Sequence, residues 1–289
     1  MDWPGLLKDE LSLLLREDPG NRDEDGDFYF QDPLMGFASA DDPLFGDYKK
    51  VIGDFYPTPG EWFEKSFGKG SWAGGTVINW ILPITREIRR SNRSEKKLPS
   101  RKWAHTRNFG ERFNNRVREG LSAMLEARGC RTVAPMIMED WRDFEAPLVG
   151  LASNWSERHA AYAAGLGTFS LNNGLITRRG IAHRCGSLIT ELIIEPTRRS
   201  YEHPYEFCLY HRDGSCGDCI GRCPAGAVSR EGHDKERCRR YLREAVLAEV
   251  GPSFGVETAG CGLCQTGVPC EEEIPGGESE QRLAAGRRE

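Results

Sequence analysis

The segment "SCGDCIGRCPAG", residues 215–226, holds three of the ten cysteines in this 289-residue chain. Cys216, Cys219 and Cys223 follow one another at spacings of three and four residues, and Pro224 comes directly after the last of them. The run C-x2-C-x2-C-x3-C-P is typical of polypeptides that ligate iron-sulfur clusters through soft thiolates. The segment lacks the first cysteine of that run. Either the site is degenerate or the missing ligand lies elsewhere in the chain.

The other cysteines between residues 208 and 270 can complete the set. Cys208 lies eight positions before Cys216, so a short inserted loop, "LYHRDGS", would restore the displaced first ligand. In two-cluster ferredoxins the cysteine before proline binds the other cluster, and this crossing rule divides the eight cysteines into two sets. The first cysteine quartet is Cys208, Cys216, Cys219 and Cys270, and the second cysteine quartet is Cys223, Cys238, Cys261 and Cys264. We predict that each quartet holds one 4Fe-4S cluster.

Composition is consistent with metal ligation. The first residues show no basic leader with a cleavage site, and no apolar run approaches the roughly 20 residues that span a bilayer, so we expect a soluble, cytoplasmic protein. Thiols stay reduced in that compartment, which makes structural disulfides improbable. The net charge of -5 does not indicate a particular class of binding partner. Structural zinc is the alternative to iron, because the C-x2-C pairs at 216/219 and 261/264 could form one tetrahedral site, but zinc leaves four clustered cysteines without a role.

The distribution of cysteines also suggests where the domains divide. Only Cys130 and Cys185 precede residue 200. Upstream, helical spacing predicts a helix over 111–129, "RTVAPMIM" and "CGSLITELIIEP" predict strands, and Ser156 is the expected N-cap of another helix. This mixture is α/β or α+β. We predict an N-terminal extension packed on the core over 1–100, a cofactor-binding domain over 101–200 that includes part of 1–100, and a ferredoxin-like domain over 201–289.

The order of "SERHAAYAAGLGTFSLNNGLIT", "GSLITELIIEP", "CGDCIGRCPAGAV" and "GCGLCQ" resembles the epoxyqueuosine reductase family and, more remotely, the reductive dehalogenases. The resemblance covers roughly residues 100–272. It implies an α+β fold in which a nitroreductase-like cobalamin-binding domain precedes a ferredoxin-like domain with two 4Fe-4S clusters. It also implies that the nearer cluster feeds electrons to cobalamin, whose Co(I) state reduces the substrate.

The chemistry of individual side chains and this resemblance together indicate the candidate site residues. Glu157, Arg158 and His159 are the catalytic candidates, because a carboxylate or imidazole can deliver a proton and an arginine can hold an anionic group; a helix cap or surface ion pair is the alternative. His183 and Cys185 could approach cobalt or be buried core residues. Gly165 and Gly167 could let a flat cofactor approach the backbone or could end a helix. The cofactor-binding candidates are Arg158, Gly165, Leu166, Gly167, Thr168, Ser170, Asn172, Gly186 and Ser187.

Three departures from the family pattern shape the predicted function. Leu151 stands where the resembling enzymes place an acid proton donor, "SLNNG" replaces a lysine-containing triplet, and no repeat domain follows Cys270. We therefore expect a low-potential donor of ferredoxin or flavodoxin type, no membrane partner, and reduction of an unknown small-molecule substrate. A noncatalytic electron-transfer or corrinoid-delivering protein is the alternative, and flavin could replace cobalamin. Residues 86–102 carry eight Lys or Arg with two Glu, yet a solvated helix end is favoured there and a nucleic-acid partner is considered unlikely.

Overall fold

The computed structural model describes residues 1–258 and 260–276 as a mixed α/β protein. Its helices are α1 (Trp3–Glu17), α2 (Pro43–Ile52), α3 (Pro59–Phe67), α4 (Arg86–Arg93), α5 (Arg101–Glu126), α6 (Glu157–Ala163), α7 (Leu209–Asp213), α8 (Asp218–Arg222), α9 (Lys235–Tyr241) and α10 (Ala248–Phe254). Its strands are β1 (Leu34–Ser39), β2 (Thr76–Pro83), β3 (Thr132–Val133), β4 (Asp143–Ala146), β5 (Gly150–Ser153), β6 (Gly167–Phe169), β7 (Leu175–Thr177), β8 (His183–Thr190), β9 (Val228–Ser229) and β10 (Gly232–His233).

The core is built around a four-stranded antiparallel sheet with strand order β1, β2, β8, β3. Because successive side chains of a strand point to opposite faces, β2 contributes to two apolar layers. Ile78, Trp80 and Leu82 pack with residues of α1 and α5, whereas Val77 packs with residues of α2, α3 and α6. Every residue of β2 is buried, as a strand covered by helices on both faces requires.

The N-terminal hundred residues are more than an extension packed on the core. They supply β1 and β2, which are two of the four strands of the central sheet. The continuous apolar run of β2, "TVINWILP", is the sequence signal for a strand buried on both faces, and our sequence interpretation overlooked it. The boundaries of the three predicted domains remain predictions.

The helices and strands predicted next to the candidate site are present, although their bounds differ from the predicted ones. Ser156 caps α6, since its side chain accepts a hydrogen bond from the backbone N–H of His159. β8 overlaps the first half of the strand predicted over 185–196 but begins two residues earlier and ends at Thr190. α5 covers most of the helix predicted over 111–129 but begins ten residues earlier, capped by Ser100. The "RTVAPMIM" segment forms only the two residues of β3 before a 3-10 turn.

The cysteine-bearing segment, residues 208–276, has little regular structure. It consists of the short helices α7 to α10, a π-helical stretch at Leu242–Leu247 and the β9–β10 pair. Its apolar clusters are small and include several half-buried cysteines. Whether this segment is ferredoxin-like, and whether the preceding part is nitroreductase-like, remain predictions within the mixed α/β fold.

Contacts from α4 hold the cysteine-bearing segment against the sheet-containing part. The Glu271 carboxylate is 2% exposed and lies 2.7 Å from Nε of Arg93 and 3.5 Å from Nε of Arg89. The side-chain amide of Asn92 donates to the carbonyl oxygen of Cys261 at 3.1 Å. These contacts fix the cysteine loops relative to α4 and therefore to β2, which precedes it.

No helix among the described residues is both long and apolar enough to cross a membrane.

We predict that replacing Glu271 with alanine destabilises the protein by about 2 to 3 kcal/mol, because it removes the buried carboxylate shared by Arg89 and Arg93 and leaves Arg89 only the more exposed Glu272. Glu273→Ala, two residues away and exposed, is the matched control and should stay within about 0.5 kcal/mol of the parent protein. The measurement is the free energy of unfolding from urea titration. Equal stability of the two variants would show that the pair does not carry the contact between α4 and the cysteine-bearing segment.

Candidate active site

The first cysteine quartet surrounds one small cavity. Cys208, Cys216, Cys219 and Cys270 all line it. Burial, with the nearby charges of Cys208 and Cys216, raises the pKa of the Cys219 thiol to about 12. Burial and the other three thiols of the quartet likewise raise the pKa of Cys270. The structure thus brings together the four side chains that the crossing rule grouped, and their role as ligands remains a prediction.

The second cysteine quartet is also mutually close. Burial, followed by the charges of Cys261, Cys223 and Cys238, raises the pKa of Cys264 well above its usual range. Burial together with Cys261 and Cys223 raises the pKa of Cys238 to about 11. Cys264 is also influenced by Cys219 of the first cysteine quartet, so the two quartets are neighbours.

The donor set fits iron-sulfur clusters. Four neighbouring thiolates repel one another, so each quartet needs bound cations before its thiols can ionise together. Backbone N–H groups already face the sulfurs: that of Ala227 donates to Sγ of Cys223 at 3.3 Å, and those of Leu263 and Gly262 lower the pKa of Cys261 against the larger effect of burial. Such N–H···S bonds stabilise ligating thiolates. Over residues 1–258 and 260–276, no three His, Cys, Asp or Glu side chains converge tightly enough for a single metal ion.

A cavity of about 340 Å³ lies between α5, the start of α6 and the start of β8. Glu157 and Arg158, two of the three catalytic candidates, line it, as do His183 and Cys185. Gln265, the residue after Cys264, lines it as well, so the cavity borders the loop of the second cysteine quartet. A larger groove of about 520 Å³, lined by residues such as Arg101 and Phe254, contains none of the predicted site residues.

A buried guanidinium organises the wall of the 340 Å³ cavity. Arg118 on α5 has a fully buried side chain. Its Nη2 donates to Oε1 of Glu157 at 3.0 Å and to the carbonyl oxygen of Cys185 at 3.2 Å, and its Nη1 donates to Oε1 of Glu111 at 3.2 Å. Sequence reasoning missed Arg118, although a charged residue between the apolar positions Val117 and Leu121 of a helix is a signal of a buried partner.

The two carboxyl groups of this network differ in their affinity for protons. Burial alone would raise the pKa of Glu111, but the charges of Arg184, Arg118 and Arg107 hold it down to about 2. Burial raises the pKa of Glu157 and outweighs the opposing effect of Arg118. The second oxygen of Glu157, Oε2, makes no hydrogen bond of normal length, although the nearby Ser187 hydroxyl favours the charged form. Of the two carboxyl groups on the cavity wall, Glu157 is therefore the one that can more readily hold a proton.

The other catalytic candidates occupy different positions. The Arg158 side chain is exposed to the cavity and donates to the backbone oxygen of Asn173. His159 instead packs against Tyr48 and Phe169, and its Nδ1 lies 2.8 Å from the Ser156 hydroxyl. Burial lowers the pKa of His159 to about 3, so its imidazole is neutral at physiological pH. Glu157 and Arg158 are thus brought together at the cavity, whereas His159 supports the helix start.

The glycines proposed to approach a cofactor have roles within the protein. Gly165 ends α6 with a φ of +75°, where its N–H donates to the Tyr162 oxygen and the N–H of Leu166 donates to the Ala161 oxygen, the pattern of a Schellman cap. A Cβ on Gly167 would lie 2.2 Å from the Ile176 oxygen, and one on Gly186 would lie 2.3 Å from the Trp80 ring. Helix termination, one of the two readings of this segment, accounts for Gly165.

The polar cofactor-binding candidates also bond within the protein. The Thr168 hydroxyl accepts from the N–H of Phe207, and the Ser187 hydroxyl accepts from the Trp155 indole N–H at 3.0 Å. The Ser170 hydroxyl donates to Asn172, whose own side-chain N–H donates to the Cys264 oxygen at 2.7 Å. Asn172 therefore positions the second cysteine quartet directly. Contact of any of these residues with a corrin remains a prediction.

Comparison with known proteins identifies relatives of one kind, and no protein-family model matches the chain. The epoxyqueuosine reductase of Bacillus anthracis is 28% identical over 138 residues, which are 46% of this chain and 34% of the relative. The structure of epoxyqueuosine reductase from Bacillus subtilis superposes with a TM-score of 0.47 at 19% identity. An epoxyqueuosine reductase bound to an epoxyqueuosine-modified tRNA-Tyr stem loop gives a TM-score of 0.51 at 20% identity. Both structural matches cover 95% of this chain and 70% of the other.

These relatives confirm the predicted resemblance to epoxyqueuosine reductases, and the last superposition supports a shared mixed α/β fold. The curated match spans about a third of the relative's length. All the relatives are reductases by name, in agreement with the predicted oxidoreductase class.

Two expectations about function and partners are wrong. We expected an unknown small-molecule substrate or a noncatalytic role, and we considered a nucleic-acid partner unlikely. The sequence relative is an epoxyqueuosine reductase, and a structural neighbour holds a modified tRNA stem loop. The acidic net charge and the expectation that no repeat domain follows Cys270 misled the interpretation, because neither reports on a local surface or on the cavity.

His183 gives a pH-dependent prediction. Burial lowers its pKa to about 4, while the side chain lies 2.8 Å from the Leu175 carbonyl oxygen. Below its unfolded pKa of 6.5 the unfolded state therefore binds more protons than the folded state, and stability is lost as the pH falls. We expect the free energy of unfolding to fall by about 2 kcal/mol from this residue between pH 7 and pH 5.

Urea titrations at pH 7 and pH 5 measure this effect. His183→Gln should remove that part of the pH dependence, whereas His203→Gln, at an exposed position, should keep the parental slope. An unchanged slope in His183→Gln would mean that His183 titrates normally in the folded protein.

Proposed function

We propose that this chain is an iron-sulfur- and cobalamin-dependent reductase that acts on epoxyqueuosine, or a closely related modified nucleoside, within a tRNA stem loop. The observation that carries the proposal is the 340 Å³ cavity, which joins Glu157 and Arg158 to Gln265 in the loop of the second cysteine quartet. The sequence relative supports the reaction, and the tRNA-bound structural neighbour supports the substrate class.

The volume of the cavity suits a nucleoside. Its volume is near the lower end of the roughly 300 to 1,000 Å³ typical of small-molecule sites, so it has room for a nucleoside-sized group but not also for an entire cobalamin. Trp141 and Met136 form part of its apolar lining.

The charges around the cavity suit an anionic or strongly polar ligand. Arg158, Arg184 and Arg118 contribute three positive charges to its lining, against the carboxyl groups of Glu111 and Glu157. Since Glu111 and Arg118 are bound to each other, Arg158 is the guanidinium most exposed to the cavity. We assign to Arg158 the task of holding a phosphate or amide group of substrate or cofactor.

We assign to Glu157 the role of proton donor. Reductive removal of an epoxide oxygen as water consumes two electrons and two protons. Cobalamin, when bound, would supply a low-valent cobalt able to deliver the electrons, and the cysteine quartets would hold the clusters that provide electrons to it. The raised pKa of Glu157 lets its carboxyl group remain protonated closer to neutral pH, and Arg118 orients it through Oε1. General acid catalysis by such a group contributes about 10²- to 10⁴-fold to a rate.

The cluster assignment predicts a specific loss of iron. Anaerobically purified protein should carry about eight irons per chain, four in each cluster. Cys264→Ser should lose about four of them, because its thiol belongs to the second cysteine quartet only. Cys130→Ser, outside both quartets, is the control and should retain all eight. Iron analysis with absorption spectroscopy makes the measurement, and zinc in place of iron, or loss of all iron from both variants, would contradict two separate clusters.

The activity is tested with an epoxyqueuosine-containing tRNA stem loop, hydroxocobalamin and a low-potential chemical reductant under anaerobic conditions, with the nucleoside product followed by mass spectrometry. Glu157→Gln keeps an acceptor for Arg118 but cannot supply a proton, so we expect kcat to fall by about 10²-fold or more with little change in KM. Glu145→Gln, on the exposed face of β4, is the control and should match the parent. No product from the parent protein would reject the proposed function, and full activity of Glu157→Gln would reject only the role of Glu157.

A further inference from the structure

The basic segment over 86–102 divides into paired and unpaired charges. Arg89 and Arg93 are bound by Glu271 and Glu272, and Arg101 and Lys102 are bound by Glu24, Asp27 and Glu87. The remaining four cations are exposed, and their side chains have no hydrogen-bond or ion-pair partner within residues 1–258 and 260–276. We call these four the α4 basic surface, and they are Arg86, Arg90, Lys96 and Lys97.

The four cations lie on a continuous strip. Arg86 and Arg90 are four residues apart on α4 and therefore occupy the same face of the helix. Arg93, half-exposed and shared with Glu271, extends this face by one turn toward the loop that carries Lys96 and Lys97. Ile88, Arg89 and Asn92 are buried on the opposite side of α4. Helical spacing thus separates an inner face that packs from an outer face that carries unneutralised charge.

The backbone under this strip is held firmly. The Arg222 guanidinium donates to the carbonyl oxygens of Arg93, Glu95 and Asn92 at 2.9 to 3.2 Å. The Tyr241 hydroxyl donates to the Lys97 oxygen at 2.7 Å. A loop fixed in this way loses little further conformational freedom when its side chains meet a ligand.

Charge complementarity indicates the partner. The chain as a whole carries a net charge of -5, so four adjacent cations without carboxylate partners are a local exception and not part of a generally basic surface. Lysine and arginine side chains spaced along one strip neutralise consecutive phosphates of a nucleic-acid backbone and release counterions as they do so.

The strip also adjoins the proposed active site. Asn92, on the inner face of α4, donates to the Cys261 oxygen and to the Thr266 hydroxyl. Thr266 directly follows Gln265, which lines the 340 Å³ cavity. A helix that touches the loop of the second cysteine quartet on one face and presents unpaired cations on the other can hold a polynucleotide beside the cavity.

We propose that the α4 basic surface binds the phosphate backbone of the RNA stem that carries the modified nucleoside. The inference rests on the proposed function for the identity of the RNA. It assigns to these four side chains affinity and orientation, not sequence recognition.

The test is fluorescence anisotropy of a labelled tRNA stem loop titrated with the anaerobically purified full chain at several salt concentrations. In one variant Arg86, Arg90, Lys96 and Lys97 are all replaced by Gln. In the matched control four other exposed cations, Lys8, Arg16, Lys69 and Arg230, are replaced by Gln, which gives the same net charge. Because the four substitutions lie at exposed positions, both proteins should fold, and circular dichroism checks this.

We expect the α4 variant to bind the stem loop more than about tenfold more weakly near 0.1 M salt. We also expect the slope of the logarithm of its binding constant against the logarithm of salt concentration to be smaller in magnitude by about 3. The control should bind like the parent. Equal weakening of both variants, parental binding by the α4 variant, or binding of the parent to anionic phospholipid vesicles but not to RNA would each overturn the inference. Because binding is measured without turnover, an inactive parent that still binds RNA through α4 would reject the proposed function and leave the inference standing.

Discussion

The buried guanidinium of Arg118 is the constraint on which the candidate site depends. A fully buried cation is tolerated only where carboxylates and carbonyl oxygens surround it. Arg118 donates hydrogen bonds to Glu111 on its own helix, to Glu157 on α6 and to the carbonyl oxygen of Cys185 on β8. Three elements distant in sequence are thereby held at fixed positions around one cavity. The same pairing leaves Glu157 with one oxygen bound and one oxygen free of normal hydrogen bonds, which is the state a proton-holding group requires.

The cysteine-bearing segment obeys a different constraint, because it has few apolar residues to bury. Burial and neighbouring thiols raise the pKa values of five of its cysteines, which are Cys219, Cys238, Cys261, Cys264 and Cys270. Its stable form is therefore one in which bound cations offset thiolate repulsion. Before any cluster is considered, protein contacts already position the loops: Asn172 binds the Cys264 oxygen, and Asn92 binds the Cys261 oxygen. These amides belong to the sheet-containing part, so the second cysteine quartet and the cavity wall are built on one support.

How much of this could be predicted from the sequence differs from element to element. The grouping of the cysteines was predictable because ligand spacing is local and follows a known order, and the Ser156 cap was predictable because capping needs only neighbouring residues. Arg118 was not predicted, since its partners come from α6 and β8 and no spacing rule connects them. Gly165 could equally have ended a helix or faced a cofactor, because both require a residue without a side chain, and only the hydrogen bonds of the Schellman cap separate the two. β2 was overlooked because its continuous apolar run was considered together with the polar segments around it.

The leucine at position 151 bears on where the proton originates. The resembling enzymes place an acid at this position, but here Leu151 lies on β5, whose backbone is held from the cysteine-bearing segment: Nζ of Lys235 donates to the carbonyl oxygens of Val149 and Leu151, each at 2.9 Å. The β4–β5 hairpin is therefore fixed by α9, which also carries Cys238, and it presents an apolar side chain at this position. Under the proposed function, the acid therefore comes from the wall of the cavity. Glu157 is the carboxyl group there whose pKa is raised, whereas that of Glu111 is held low by three arginines. Under the proposed function, the apolar Leu151 on the hairpin and the protonatable Glu157 on α6 are consistent with each other, because Arg118 orients the Glu157 carboxyl group at the helix start.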